Sequence, residues 1–269
     1  MGLTAALIVL SLSACQKKPE EQPQTDRPPQ TVAPLAFANT DEDAQVTLTL
    51  PEPIKLYPEL HTRLYNEGEA ALKAFMAGAK KDRAQQSADG FPVPSYYRTI
   101  NWKIAAQSQR LVSLYAEEEE FQGGAHPGHN FRALLWDKEN NELIPTAKLF
   151  ITGADMSAVN AYACQQLEAA RSQRAGEPVR QADFGDGCPR FAEARLILIP
   201  STVSGKVGAI DALFAPSEAG AYAEGAYEIR VPQTVLKNVL NPEFAGQFGG
   251  EPVAESALPD PDAGNARAR

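Results

Sequence analysis

The succession of strand-like segments is the feature that most restricts the fold of this chain. Over residues 96–104, aromatic and aliphatic side chains alternate with polar ones, which is the period-two pattern of a β-strand with one buried face. Two more strand-like segments, residues 111–116 and 131–137, follow before any helical pattern returns. Strands that follow one another directly predict an α+β fold with a mainly antiparallel sheet.

Two amphipathic segments predict the longer helices that pack on this sheet. Over residues 59–83 apolar side chains recur at near-helical spacing, and Pro58 stands at the start, where a helix needs no N–H donor. A second stripe covers residues 154–174. The remaining predicted elements are a last helix over residues 232–240 and short strands over residues 46–50, 143–144, 195–199, 207–214 and 227–231.

The first residues carry a pattern typical of export. An apolar stretch over residues 5–12 runs into small residues and ends at Cys15, and a proline-rich segment follows. This arrangement resembles the lipobox of bacterial lipoproteins. The resemblance implies a signal peptide over residues 1–14, lipidation of Cys15, and a membrane partner. It places the protein facing the periplasm, anchored to the outer (or inner) membrane of a Gram-negative-type bacterium.

Two other interpretations of the first residues stay open. Residues 1–14 contain no Lys or Arg, so the basic start of a signal peptide is missing. The apolar stretch is also too short to span a bilayer, which takes about 20 residues. The alternatives are an ordinary signal peptide with an incidental cysteine and a cytosolic chain with an apolar start.

Composition divides the rest of the chain into a body and two flanking segments. Residues 15–45 are rich in Pro, Gln and Glu and predict a disordered tether, and residues 249–269 predict a disordered tail. The body over residues 46–248 is the predicted folded domain. The chain has 25 basic and 34 acidic side chains, a formal charge of −9. We therefore expect no nucleic-acid partner and a preference for cationic ones.

Cys164 and Cys188 are the cysteines that remain after Cys15. An even pair in an oxidising compartment predicts a disulfide, here between the second long helix and a Gly-rich loop. The alternative is two buried free thiols. The sequence also lacks a nucleophile elbow, a phosphate-binding loop and a dinucleotide fingerprint, so we expect no cofactor and no catalytic residue of those kinds.

The histidines are candidate metal ligands. His126 and His129 lie three residues apart in a Gly-rich turn, far in sequence from His61, and Asp137 follows on the next strand. A catalytic zinc ion needs three protein ligands, which His126, His129 and Asp137 would supply. Histidines spaced this way in a turn more often pack inside a hairpin, and we predict no metal site.

An acidic run precedes that turn. Glu117, Glu118, Glu119 and Glu120 stand between two predicted strands, just before Gly123 and Gly124. A run of like charges is usually a solvated face. The functional interpretation is that four carboxylates in one loop repel one another and that a cationic partner relieves the repulsion.

Several motifs together resemble a known family. Tyr115, the Gly-Gly-Ala-His turn of residues 123–126, Leu143 and Lys148-Leu149-Phe150 are similar to the extracellular domain of RsiV-type anti-sigma factors and PdaC-type peptidoglycan deacetylases. Residues 222–225, Tyr-Ala-Glu-Gly, and the Ile-Arg-Val-Pro of residues 229–232 are similar to the end of that domain. The resemblance covers about residues 46–240 and implies no catalytic residue.

The family resemblance implies a binding domain, since the anti-sigma factors use theirs to bind lysozyme. The leading hypothesis is a non-enzymatic envelope lipoprotein that binds a cationic, lysozyme-like protein or cell-wall glycan. Its candidate binding residues are Gly123, Gly124, His126 and the acidic run. The alternatives are a metal-assisted hydrolase or deacetylase-like enzyme acting on cell-wall sugars, and a structural lipoprotein of an envelope complex.

Overall fold

The computed structural model describes residues 32–90, 94–183, 185 and 187–253. The predicted signal peptide, Cys15, the first half of the tether and most of the tail lie outside the described residues. The strands, numbered β1 to β9 in chain order, are Ala36–Thr40, Ala44–Thr49, Tyr96–Gln107, Leu111–Phe121, Gly128–Asp137, Glu142–Ile144, Arg195–Pro200, Val207–Phe214 and Tyr227–Pro232. The α-helices, α1 to α4, are Pro58–Ala88, Ser157–Ala175, Gln233–Leu236 and Pro242–Ala245.

The strands form two separate sheets. The larger has six strands in the order β1 to β6, and the smaller has three in the order β7-β8-β9. All neighbours pair antiparallel except β2 and β3, which are parallel. A parallel pair needs a crossover, and α1 supplies it. The predicted α+β fold with mainly antiparallel sheets and two longer helices is confirmed.

The elements stack in four layers. Helix α1 buries Leu60, Leu64, Leu72 and Phe75 against the face of the large sheet that carries Leu48 and Trp102. The small sheet lies on the opposite face, where Ile197 and Leu213 pack with Tyr115 and Phe131. Helix α2 covers the outer face of the small sheet with Val159, Ala163 and Leu167. Each sheet thus buries its apolar faces between neighbouring layers.

Strand β7 is an edge strand, and Ser113 of the large sheet satisfies part of that edge. The backbone N–H of Leu198 donates a 2.9 Å hydrogen bond to the Ser113 hydroxyl, and both groups are buried. A buried edge N–H without an acceptor would be destabilising. This bond links the small sheet to the middle of β4, whose residues are buried up to Ala116 and only partly buried from Glu117 to Phe121.

The described fold begins before residue 46. Strand β1 lies inside the segment for which composition predicts a tether, and it pairs along β2. Leu35 and Phe37 pack against the core beneath α1. The buried His61 ring donates a 2.9 Å hydrogen bond from Nε2 to the Pro34 carbonyl. Two apolar side chains and one strand ladder are enough to order a segment whose average composition is polar.

The last predicted helix is shorter than expected. Helix α3 ends at Leu236, because the chain then turns to meet the segment after β6: Leu240 pairs with Phe150, and the Ile151 N–H donates to the Val239 carbonyl. No helix in the described part of the chain is apolar over a length that crosses a membrane.

Candidate functional site

The acidic run lies on a strand, which corrects the expectation of a loop. Strand β4 continues through Phe121, so all four glutamates are paired with β3 on one side and β5 on the other. Glu119 lies opposite Thr99 and His129, and its side chain shares a face with that of Glu117. Glu118 and Glu120 point to the other face.

Neighbouring strands supply cations to the acidic run. Glu117 pairs with Lys103 at 2.7 Å, and Glu118 pairs with Arg98 at 3.1 Å and with Arg132. Glu120 is 3.6 Å from Arg98. Opposite charges across neighbouring strands stabilise the sheet, so the repulsion expected between four loop carboxylates is largely compensated within the fold.

Glu119 differs from the other three glutamates in its partners. It accepts a hydrogen bond from the Tyr97 hydroxyl, and its Oε2 lies 3.7 Å from Nδ1 of His129. Because the carboxylate accepts that hydrogen bond, the pKa of Tyr97 rises to about 12. Phe121 stacks on the Tyr97 ring at a centroid distance of 5.9 Å. Glu119 therefore sits among aromatic rings with no Lys or Arg partner among the described residues.

The Gly-Gly-Ala-His turn connects β4 to β5. Gly123 and Gly124 have φ values of +87° and +106°, a region that other residues rarely adopt, which explains why glycine stands there. The His126 ring stacks on Tyr222 at a centroid distance of 3.8 Å. The Tyr222 hydroxyl donates a 2.5 Å hydrogen bond to the Pro127 carbonyl. The two motifs that carried the family resemblance thus meet in space.

Glu224 organises the segment that follows Tyr222. Its carboxylate binds the Arg171 guanidinium of α2 through two 2.8 Å hydrogen bonds and also accepts from the Tyr227 hydroxyl and the Ala221 N–H. These bonds to the ionised form, that of Arg171 foremost, hold the pKa of Glu224 at about 2. At Gly220 a Cβ would come within 2.6 Å of the carboxylate, so glycine lets this carboxylate lie close to the backbone without a shift.

A cleft of about 480 Å³ opens between these parts. Its floor is the partly buried hairpin end of the large sheet, and its wall is formed by the end of α2 and the segment after β8. A second hollow of about 490 Å³ shares Glu118, His129, Asn130 and Pro216 with it, so the two are contiguous. The cleft is lined by Thr99, Asn101, Glu117, Glu118, Glu119, His129, Asn130, Phe131, Arg174, Pro216, Glu224, Gly225 and Ala226.

The wall residues Arg174 and Glu224, and Arg171 that binds Glu224, are absent from the candidate binding residues predicted from the sequence. Arg174 donates a 2.6 Å hydrogen bond to the Glu224 carbonyl, and its guanidinium lies 3.9 Å from the centre of the Tyr227 ring. The two arginines lie three residues apart in the last turns of α2, which puts them on one helix face. The three-residue spacing of the arginines and the Tyr-Ala-Glu-Gly motif were the only sequence signals for this wall. Neither signal shows that α2 contacts a segment 50 residues later in the chain.

Asp137 does not join the histidines. It lies eight residues beyond His129 on β5, which corresponds to roughly 26 Å. Its carboxylate is buried and bound by Arg110 at 2.6 Å. His126 and His129 contact Tyr222 and Glu119 instead, and no metal-ligand cluster of three occurs in the described ranges. The zinc set weighed from the sequence is therefore wrong in its third ligand.

The predicted disulfide is confirmed. Cys164 of α2 is bonded to Cys188 of the Gly-rich loop, with 5.6 Å between their Cα atoms. The bridge lies away from the residues that line the cleft. It fixes the loop after α2 to the helix that supplies the cleft wall, which gives the bridge a structural role.

Part of the chain is similar to a known protein family. Residues 38–129 match the family model described as deacetylase PdaC. The match ends at His129, so it includes the acidic run and the Gly-Gly-Ala-His turn but not Tyr222. No curated protein matches the sequence.

Two solved structures align with most of this chain. A member of the DUF3298 family from Bacteroides fragilis is 15% identical, with a TM-score of 0.55 over 79% of this chain and 94% of that chain. A DUF3298 family protein from Pseudomonas aeruginosa is 17% identical, with a TM-score of 0.48 over 82% of this chain and 99% of that chain. The resemblance inferred from the sequence is confirmed by the match of residues 38–129 to the PdaC model, and the fold is similar to that of the Bacteroides fragilis protein.

Proposed function

We propose that this chain is a cell-envelope lipoprotein whose folded domain binds cell-wall glycan in the cleft, without catalysing a reaction. The observation that carries the proposal is the cleft itself. Asn101, Asn130 and Thr99 offer neutral donors and acceptors on its floor, beside the apolar surfaces of Phe131, Pro216 and Ala226. Sites for small polar ligands combine an apolar lining with a few polar groups in this way.

Glycan fits this surface better than a cationic protein does. The sequence favoured a cationic partner because four glutamates stood together, but Lys103, Arg98 and Arg132 already neutralise most of that charge. A protein partner would also need a broad interface of about 800 Å² on this chain. The functional groups converge instead in a concave site of small-ligand size.

The proposed location in the envelope rests on the sequence. Cys15 and the stretch before it match the lipobox pattern, and a paired disulfide suits an oxidising compartment. Metabolic labelling of the chain with a radioactive fatty acid, compared with Cys15→Ser, tests the anchor. Loss of label in the variant supports it, and an unlabelled parent chain contradicts it.

Binding is tested with the purified chain and a neutral glycan, tetra-N-acetylchitotetraose, in a calorimetric titration. Thr99→Trp fills the cleft floor, and we expect it to abolish binding. Asn101→Ala removes hydrogen bonds and is expected to weaken binding roughly three- to tenfold. The matched controls are Thr62→Trp and Asn66→Ala on the exposed face of α1, which should bind as the parent does.

Two outcomes would overturn the proposal. Equal binding by the parent and by Thr99→Trp would place the glycan elsewhere on the surface. Shortening of the glycan during incubation, followed by mass spectrometry, would identify an enzyme instead of a binding domain.

A further inference from the structure

The charges that line the cleft are paired unevenly. Glu117 has Lys103 as its partner, Glu118 has Arg98 and Arg132, and Glu224 has Arg171. Glu119 has only the Tyr97 hydroxyl and the His129 ring, and its side chain is 39% exposed. Among the described residues, Glu119 is thus the cleft carboxylate without an arginine or lysine partner.

Arg174 is its counterpart on the wall. The guanidinium is exposed, and its fixed contacts are the Glu224 carbonyl and the Tyr227 ring, neither of which carries a negative charge. No described carboxylate lies within ion-pair distance of it, whereas the nearby Arg195 is bound to Glu218. Stacking on Tyr227 holds the planar guanidinium in place, so the group is preorganised and loses little conformational entropy when a ligand binds.

We propose that the cleft recognises a ligand carrying both charges, with a carboxylate on Arg174 and an ammonium group on Glu119. This inference rests on the proposed function and names the ligand class: glycan that still carries its short peptide, which has free carboxylates and a free amine. A guanidinium binds a carboxylate through two parallel hydrogen bonds, and such charge-assisted bonds are about twice as strong as neutral ones.

The contiguous hollows support a ligand of this shape. The sugar occupies the floor by Asn101 and Thr99, and the peptide passes between Glu119 and Arg174. Both charged groups remain hydrated in the absence of ligand, so neither imposes the cost of an unpaired buried charge. A neutral glycan can form no ion pair with either group.

The test compares three probes by calorimetry at low and moderate salt. They are a disaccharide–tetrapeptide with free amine and carboxylates, the same compound with its amine acetylated and carboxylates amidated, and neutral tetra-N-acetylchitotetraose. We expect the free muropeptide to bind roughly tenfold or more tightly than the blocked one. The ratio of the two affinities should fall as the salt concentration is raised, because salt screens interactions between charges.

Single-residue variants test whether Arg174 and Glu119 bind the two charged groups of the ligand. Arg174→Gln and Glu119→Gln should each lower the affinity for the free muropeptide about tenfold and reduce its advantage over the blocked compound. Arg63→Gln and Glu67→Gln, an exposed pair on α1, are the matched controls and should bind as the parent does.

The outcomes separate this inference from the proposed function. Equal affinity for free and blocked muropeptide, with chitotetraose still bound, would overturn the inference and keep glycan binding. The same holds if Arg174→Gln retains the full preference for the free compound. Failure of all three probes to bind would overturn both.

Discussion

Tyr222 holds the hairpin turn of the large sheet from a segment 95 residues away, by a 2.5 Å hydrogen bond from its hydroxyl to the Pro127 carbonyl. The same ring stacks on His126. Because Glu224 follows two residues later and is bound by Arg171, the turn is connected through this short segment to α2. The floor and the wall of the cleft are therefore connected to each other through this segment.

Replacing Tyr222 by Phe removes the hydroxyl and keeps the ring. We expect the free energy of unfolding to fall by about 1 kcal/mol, the usual contribution of one hydrogen bond. We also expect faster amide hydrogen exchange over residues 122–127, because the turn loses its outside contact. Urea denaturation and exchange mass spectrometry measure the two effects.

Tyr65→Phe is the matched control for that experiment. Tyr65 lies half-buried on α1 and its hydroxyl has no hydrogen-bond partner within the described chain. An equal loss of stability in both variants, or unchanged exchange in the turn, would show that Tyr222 does not hold the hairpin.

Glu224→Gln tests the contact between α2 and the cleft wall. The variant keeps the side-chain shape but loses the charge that binds Arg171, and we expect it to lower the free energy of unfolding by about 1–2 kcal/mol at neutral pH. The folded pKa of about 2 lies below the ordinary value of 4.5 for a glutamate. The contribution is therefore fully present above pH 4.5 and is lost as the pH falls toward 2.

Parent and Glu224→Gln unfolding curves, measured from pH 7 down to pH 3, should accordingly converge in acid. Glu67→Gln, which changes an exposed helix pair, serves as the control and should stay within about 0.5 kcal/mol of the parent. A constant difference between parent and Glu224→Gln at all pH values would contradict the ion-pair explanation.

The disulfide gives a third prediction. In the chain-entropy model, closing the loop between Cys164 and Cys188, with a sequence separation of 24, stabilises the fold by about 3 kcal/mol. Cys164→Ala with Cys188→Ala should lose that amount in chemical denaturation. A reducing agent should destabilise the parent equally and leave the double variant unchanged, so any effect of reductant on the variant would point to another cause.

The regular elements were predictable because their patterns are local. Alternation over residues 96–104 predicted β3, and the apolar stripe after Pro58 predicted α1. The even number of cysteines that remain after Cys15 predicted the bond between Cys164 and Cys188. Each of these signals comes from neighbouring residues or from a residue count, and none depends on which distant segments make contact.

The acidic run and the cleft wall were not predictable in the same way. Glutamate is depleted in strands, so four in succession favoured a loop, and only pairing with Lys103, Arg98 and Arg132 makes the strand favourable. Arg171 and Glu224 are 53 residues apart. Their contact depends on the packing of α2 on the small sheet, which no local pattern encodes.

Asp211 gives the last prediction, because a buried carboxyl makes stability depend on pH. Its side chain lies on β8 and is 0% exposed. The Arg230 guanidinium of β9 donates hydrogen bonds of 2.7 and 2.9 Å to the Asp211 carboxyl group. Burial, reinforced by the neighbouring Glu228 carboxyl, raises the pKa of Asp211 to about 8, although the Arg230 guanidinium acts in the opposite direction. In the unfolded chain the same group titrates near the ordinary value of 3.8 for an aspartate.

Between those two pKa values the folded state binds the proton that the unfolded state has released. The contribution of Asp211 to the free energy of unfolding is therefore fully present below about pH 4 and is lost as the pH rises to about 8, with a slope of at most about 1.4 kcal/mol per pH unit. Asp211→Asn keeps an oxygen acceptor for Arg230 but does not titrate. Its stability should thus decline less than that of the parent between pH 5 and pH 8, measured by urea denaturation.

Asp82→Asn, on the exposed face of α1, should follow the parent curve. If the Asp211→Asn curve also runs parallel to the parent, Asp211 is ionised in the fold at every pH tested, and the attraction of Arg230 outweighs burial.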